Sequence, residues 1–218
     1  MKKAIVFDFD GTILDTEPFI GKLIYETYKH FANEELTLDD ILSNYGPSEE
    51  GILINLNKNN KYDPKEAFKY YLNLYKTLHN KYYSSLDDEL INIFNIIKEK
   101  NINLFIVTGR SKESLEISLD LLKIKKYFKD YYCGSIKGVN KPTSIKKLLK
   151  EYNLNNEEII YVGDSINDIY SMKKVNVELI SVSYFNNRNK EKLEDLNPNN
   201  VANSFNELKN QILIKIKS

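Results

Sequence analysis

The stretch Lys3-Ala-Ile-Val-Phe-Asp8-Phe-Asp10-Gly11-Thr12 decides the fold. Its apolar run stops at an acidic, glycine-containing corner, as a strand buried on both faces of a parallel sheet does where it leaves the sheet. Similar runs recur at Asn103 to Thr108, Glu158 to Gly163 and Glu178 to Ser183, with a weaker one at Tyr131 to Gly134. Helical patterns separate them, at Asp87 to Lys100, Lys112 to Leu122, Thr143 to Tyr152 and Ile166 to Lys174, and Asn206 to Lys217 reads as a closing helix. The alternation predicts an α/β protein built from βαβ units, an open parallel sheet flanked by helices.

Residues 17–84 break that rhythm, carrying helix signals with no apolar strand between them. Asp63-Pro64 places an N-cap before a first-turn proline, and Phe68, Tyr71, Leu72, Tyr75 and Leu78 follow at helical spacing, an aromatic stripe that reads as core. Thr37-Leu-Asp-Asp starts another short helix, and Gly46-Pro47-Ser48 marks a turn before the apolar stretch Ile52 to Leu56. The expected organisation is a core of residues 1–16 and 85–218 interrupted by a small helical domain, 17–84.

Composition narrows the function classes. With 42% hydrophobic and 28% charged residues the chain has an ordinary core and surface, and 31 basic against 31 acidic residues leave no global positive field for nucleic acid. The heavy use of Lys, Asn and Ile looks like AT-rich coding bias, which makes the two arginines, Arg110 and Arg188, worth attention as forks for phosphate or carboxylate. Cys133 stands alone, so no intramolecular disulfide forms and a reducing compartment is the simpler setting. No run approaches the roughly 18 apolar residues of a membrane span. The expectation is a cytoplasmic protein, monomer or weak homodimer, with neither nucleic acid nor membrane as a partner.

Four polar corners carry chemistry. Asp8 and Asp10 lie where the first strand ends, the edge of an open α/β sheet at which ligands bind. Thr108-Gly109-Arg110-Ser111 joins a second strand to a helix N-terminus, where a hydroxyl and free N–H groups form a phosphate cradle or an ordinary N-cap. Lys141-Pro142 precedes a helix whose first turn is Thr143 to Lys146. Gly163-Asp164-Ser165-Ile-Asn167-Asp168 ends another strand, and a turn of helix would bring Asp164 and Asp168 to one side. Oxygen donors beside a glycine turn suit Mg²⁺. Taken singly, acids at strand ends also cap helices, and a lone lysine is usually solvated. His30 and His79, in helical patterns, read as packed or surface residues.

The joint pattern resembles the haloacid dehalogenase superfamily over essentially the whole chain, with 17–84 similar to its alpha-helical cap and Gly46-Pro47-Ser48 similar to a cap turn of the phosphoglycolate phosphatase-like branch. The resemblance implies a Mg²⁺-dependent phosphatase acting on a small phosphorylated metabolite. It casts Asp8 as the nucleophile that becomes an aspartyl-phosphate and Asp10 as general acid and base. Mg²⁺ would be held by Asp8, the Asp10 carbonyl and Asp164, with Asp168 direct or through water, and Mg²⁺ and Lys141 would offset the gathered charge and receive that of the transferring phosphoryl group. Thr108 and the N–H groups of Gly109 and Arg110 would hold phosphate oxygens. Asp10 favours phosphoryl transfer over dehalogenation, since dehalogenating members typically lack that acid.

A mutase similar to beta-phosphoglucomutase shares these residues, and a non-catalytic binding module with the same fold is the third reading. The chain also departs from the pattern. Tyr82-Tyr-Ser-Ser-Leu86 lacks the Pro-Gly pair that often follows the cap, and 17–84 holds no arginine, so a second anionic group would need lysine, backbone or Arg110. Tyr184 to Pro198 reads as a long loop or a helix with no assigned role.

Overall fold

A computed structural model describes residues 1–45, 47–138, 140–185 and 189–217. Gly46 of the expected cap turn and Arg188 lie outside them. The strands are β1 (Ala4–Phe7), β2 (Asn103–Val107), β3 (Asp130–Tyr132), β4 (Ile159–Gly163), β5 (Glu178–Val182) and β6 (Val201–Ala202). All pair in parallel, in the order β3-β2-β1-β4-β5-β6. Chain direction across the sheet reverses between β1 and β4, and the carboxyl ends of strands beside such a switch point form a crevice that binds ligands.

Helices α1 (Glu17–Ala32), α2 (Leu38–Leu42), α3 (Glu49–Leu56) and α4 (Pro64–Tyr82) follow β1. Then come α5 (Asp88–Glu99), α6 (Lys112–Leu121), α7 (Lys141–Glu151), α8 (Ile166–Val175), α9 (Lys190–Leu196) and α10 (Phe205–Lys215). Successive strand side chains point to opposite faces, so β1 feeds two cores. Ile5 and Phe7 join Phe94 and Ile97 of α5, Leu115 of α6 and Leu208 of α10. Ala4 and Val6 join Ile145 of α7, Ile169 and Met172 of α8 and Leu193 of α9.

Helices α1 to α4 bury a cluster of their own, including Phe19, Leu23, Leu53, Tyr71 and Tyr75. The helix starts follow local chemistry. The Asp63 side chain accepts from Lys65 N, and Thr37 with Asp40 forms a reciprocal capping box. The insert touches the sheet domain chiefly through α4 on α6, where the Tyr75 hydroxyl meets Ser118 Oγ at 2.7 Å and His79 Nε2 meets it at 3.2 Å.

Some expectations shift. The third strand lies at 130–132, helix α7 begins at Lys141 with Asn140 as its cap, and the 184–198 stretch contains α9. The edge strand β6 was unforeseen, since two residues leave no run to see. Asparagine abundance acquires a structural meaning. Asn33, Asn60, Asn101, Asn153, Asn176 and Asn199 adopt left-handed backbone, two of them as C-caps of α1 and α8. That is a role more often filled by glycine. No helix among the described residues is long and apolar enough to cross a membrane.

Candidate active site

The corner after β1 is a tight turn. Asp8 N donates to Val162 O of β4, the amides of Ile13 and Leu14 both donate to Phe9 O, and Gly11 takes φ +71°. A side chain on Gly11 would also run into the Asp164 carboxylate, so glycine is required there twice over. The turn leaves Asp8 and Asp10 with different surroundings. Asp8 is buried, its Oδ1 accepting from Phe9 N at 2.7 Å and its Oδ2 from Lys141 Nζ at 2.5 Å. Asp10 accepts from the Thr16 hydroxyl and lies 3.6 Å from Arg110 Nη1.

Lys141, at the first turn of α7, is also buried and bridges two carboxylates, with Asp168 Oδ1 at 2.5 Å on its other side. It passes over the Tyr161 ring, 5.6 Å from its centroid, and the Tyr161 hydroxyl is itself fixed to Val107 O at 3.0 Å. Asp168 Oδ2 accepts from both Ser165 N and Ser165 Oγ in the capping box that starts α8. Gly163 lets this happen, because a Cβ there would collide with the Asp168 carboxyl and the Tyr161 ring. Asp164 accepts from Thr12 Oγ1 at 3.2 Å.

Asp8, Asp164 and Asp168 each place a carboxylate oxygen within 4.8 Å of the others. One ammonium among three crowded carboxylates leaves a deficit of positive charge. Burial, then the charges of Asp168 and Asp10, push the Asp8 carboxyl up to about 7 against the opposing pull of Lys141. Burial and the Asp8 and Asp168 charges likewise hold Asp164 well above the usual carboxylate range. Burial works against the charged form of Lys141, but Asp168 and Asp8 outweigh it and keep the ammonium protonated. Oxygen-only donors short of positive charge fit a hard divalent cation.

The second strand end departs from a simple cradle. Thr108 is buried, and its Oγ1 accepts the Arg110 N–H at 3.3 Å. Gly109 and Arg110 line the cavity at the sheet edge, together with Asp8, Asp10, Lys141 and Asp164. The Arg110 guanidinium turns toward the insert and packs between the rings of Phe9 and Tyr75, 5.1 and 4.8 Å from their centroids.

A family model described as haloacid dehalogenase-like hydrolase matches residues 5–182. The chain belongs to the haloacid dehalogenase-like hydrolase family. Its relatives in that family include the pyrophosphatase PpaX of Anoxybacillus flavithermus, 24% identical over 186 residues that span 83% of each chain. The phosphoglycolate phosphatase of Photobacterium profundum is 24% identical over 217 residues, 94% of this chain and 93% of its own. Among solved structures, a haloacid dehalogenase hydrolase of family IA, variant 3, from Entamoeba histolytica superposes with a TM-score of 0.78 over the full length of both chains at 22% identity.

In this hydrolase the structure gathers Asp8, Lys141, Asp164 and Asp168 into one cluster, with Asp10 and Arg110 beside it facing the insert. Several residues of the site escaped sequence reasoning. Thr16, the first residue before α1, holds Asp10. Tyr184 donates its hydroxyl to Thr12 O at 2.6 Å and so fastens the first corner from the stretch that had no assigned role. Glu49, at the start of α3, is buried, with Oε2 accepting from Ser111 N at 2.7 Å and Oε1 from Ser114 Oγ at 2.5 Å. In sequence Glu49 shows only as an acid in the first turn of a helix.

Proposed function

We propose that this hydrolase is a Mg²⁺-dependent phosphatase that releases phosphate from a small phosphorylated metabolite through an aspartyl-phosphate on Asp8, with residues 17–84 serving as a cap. The observation that carries the reading is the division of the carboxylates. Asp8 is locked against Lys141 inside the Asp164 and Asp168 cluster, while Asp10, two residues on, is held outside it by Thr16 and Arg110.

Asp8, oriented by Phe9 N and Lys141, attacks phosphorus as the bond from phosphorus to the leaving oxygen breaks. Asp10 gives that oxygen a proton. Burial raises the proton affinity of Asp10 against the pull of Arg110, which favours the acid form that donates the proton. In the second half Asp10 takes a proton from water, the water oxygen attacks phosphorus, and Asp8 is released. Lys141 and the N–H groups around Gly109 receive the charge of the phosphoryl oxygens. Mg²⁺, held by Asp8, the Asp10 carbonyl, Asp164 and Asp168 directly or through water, would supply further positive charge at the transferring group.

The names of the relatives, a pyrophosphatase and a phosphoglycolate phosphatase, support phosphate release from a small molecule. With its one cysteine free and partly buried, the chain suits the reducing cytoplasm. The test is phosphate release from sugar phosphates, nucleotides, phosphoglycolate and pyrophosphate. We expect turnover of at least one compound, loss of turnover on chelation with recovery on adding Mg²⁺, and no turnover by Asp8→Asn, whose thermal transition persists. Activity retained by Asp8→Asn removes Asp8 as nucleophile. Silence across the panel, followed by turnover of a sugar phosphate once a bisphosphate activator is supplied, selects the mutase instead.

A further inference from the structure

The phosphatase reading leaves the leaving group undefined, and the seam between α3 and α6 constrains it. Asp10 protonates the departing oxygen, so the leaving group lies on the Asp10 side of the cavity, a space of about 1010 Å³. That side carries Arg110, the natural grip for a second phosphate or carboxylate. Arg110 is already matched. Its Nη1 lies 3.6 Å from Asp10 Oδ1 and its Nε 3.5 Å from Glu49 Oε1, and the residue is only 2% exposed. Nε and Nη2 make no hydrogen bond among the described residues and are shut off from the cavity by burial.

Glu49 is built into this position. Its two oxygens accept from the main chain and side chain of the α6 N-terminal turn, and the neighbouring Ser48 N donates to Ser135 O at 3.0 Å, so α3 is fastened to the sheet domain at two points. Asp15, just before the insert, and Glu17, its first residue, line the same cavity, as do the apolar Ile20, Pro47 and Ile52. Among the described residues, lysines line it only from α7, as Lys141, and from α8, the helix that begins beside Asp164 and Asp168, as Lys173 and Lys174. Of those on α8, Lys173 donates to Leu196 O, away from the insert.

We propose that Glu49, by balancing Arg110 on the Asp10 side of the cavity, reserves the leaving-group space for the uncharged alcohol of a phosphomonoester and rejects substrates bearing a second anion there. With Asp10 holding the proton it will donate, an anion entering that space meets a guanidinium whose charge Glu49 already balances, so no positive charge is left there to offset it, and an unpaired buried charge is a standard means of excluding the wrong partner. The favoured class is a phosphorylated polyol or sugar. Pyrophosphate and phosphoglycolate, the substrates in the relatives' names, are disfavoured.

The proposal rests on the phosphatase reading, and the experiment separates the two. Steady-state kinetics with Mg²⁺ would compare glycerol phosphate and sugar monophosphates with phosphoglycolate and pyrophosphate. The wild-type chain should favour the uncharged leaving groups by about tenfold or more in kcat/KM. Glu49→Gln, which keeps the shape and removes the charge, should narrow that ratio by a similar factor, through a fall in KM for the anionic substrates. Wild-type preference for phosphoglycolate or pyrophosphate overturns the selectivity while leaving the phosphatase intact, and this arm needs no variant to fold. A Glu49→Gln chain with normal thermal stability and an unchanged ratio also overturns it. No phosphate release from any compound defeats the phosphatase reading itself, and the selectivity with it.

Discussion

Two buried cations in this hydrolase each face two carboxylates, and they are held in opposite ways. Lys141 makes direct hydrogen bonds of 2.5 Å to both Asp8 and Asp168, and every remaining oxygen of those carboxylates has a donor in Phe9 or Ser165. Arg110 makes no hydrogen bond to Asp10 or Glu49, lies 3.5 to 3.6 Å from each, and is gripped by two aromatic faces. The first arrangement fixes atoms in place, since charge-assisted hydrogen bonds set position within tenths of an ångström. The second sets a charge balance and leaves position to packing and one long hydrogen bond from Arg110 Nη1 to Ser118 Oγ at 3.4 Å.

The largest effect is expected where hydrogen bonds and charge coincide. Lys141→Met leaves Asp8 and Asp168 buried without their cation, which costs about 3–5 kcal/mol when one partner of a buried pair is removed. Denaturant unfolding in the presence of a chelator should show this loss at pH 8. The loss should shrink by pH 5, because Asp8, raised to about 7 even with Lys141 beside it, then takes up a proton. If Lys141→Met proves milder than a lesion at the insert seam, the contrast between the two cations collapses.

That seam lesion is Glu49→Ala. It strips Ser111 N and Ser114 Oγ of their acceptor and leaves Arg110 facing Asp10 alone, for an expected loss of about 1–3 kcal/mol, the range for stranding buried polar groups. Hydrogen exchange should localise the loosening to α3 and the first turn of α6. Uniform loosening of the whole sheet would mean that Glu49 supports the core rather than the seam.

A smaller effect sharpens the picture from the acid side. His79 is buried on α4 against Ser118 and the rings of Tyr75 and Tyr83, and burial, with the nearby Arg110 charge, lowers its pKa below 6.5. As pH falls below 6.5 the unfolded chain binds a proton that folded His79 resists, so stability declines, by at most about 1.4 kcal/mol per pH unit, until the folded pKa is reached. Above about pH 7.5 this contribution is flat. Comparing unfolding midpoints of the wild-type chain and His79→Gln between pH 5.5 and 7.5 isolates it, and parallel curves would assign the acid sensitivity elsewhere.

The parts of this molecule legible in its sequence are those in which local pattern and chemistry coincide. The apolar run ending at Asp8 gives both a central strand and the carboxylate at its end, and Gly163 to Asp168 does the same. Lys141 was legible only through the company it keeps, because nothing local distinguishes it from a solvated lysine before a proline. Glu49 was not legible at all. Its partners Ser111 and Ser114 lie 62 and 65 residues away, and the contact exists only once α3 is laid across the start of α6. The direction taken by Arg110 was hidden for the same reason, since its neighbours Phe9, Tyr75 and Glu49 come from three separate segments. β6 was hidden because two residues at a sheet edge carry no periodicity.

The left-handed asparagines bear on the unfolded chain as much as on the folded one. Glycine relieves strain at such positions but is the most mobile residue once the structure is lost, and replacing it where the native backbone permits limits the unfolded chain by about 0.4–1 kcal/mol. Asparagine is one of the few L residues that visits this conformation readily. A chain with 8 glycines and asparagine at Asn33, Asn60, Asn101, Asn153, Asn176 and Asn199 therefore turns its corners while surrendering less disorder on folding. A compositional habit that carries no chemistry thus stiffens the denatured ensemble from which the hydrolase must assemble.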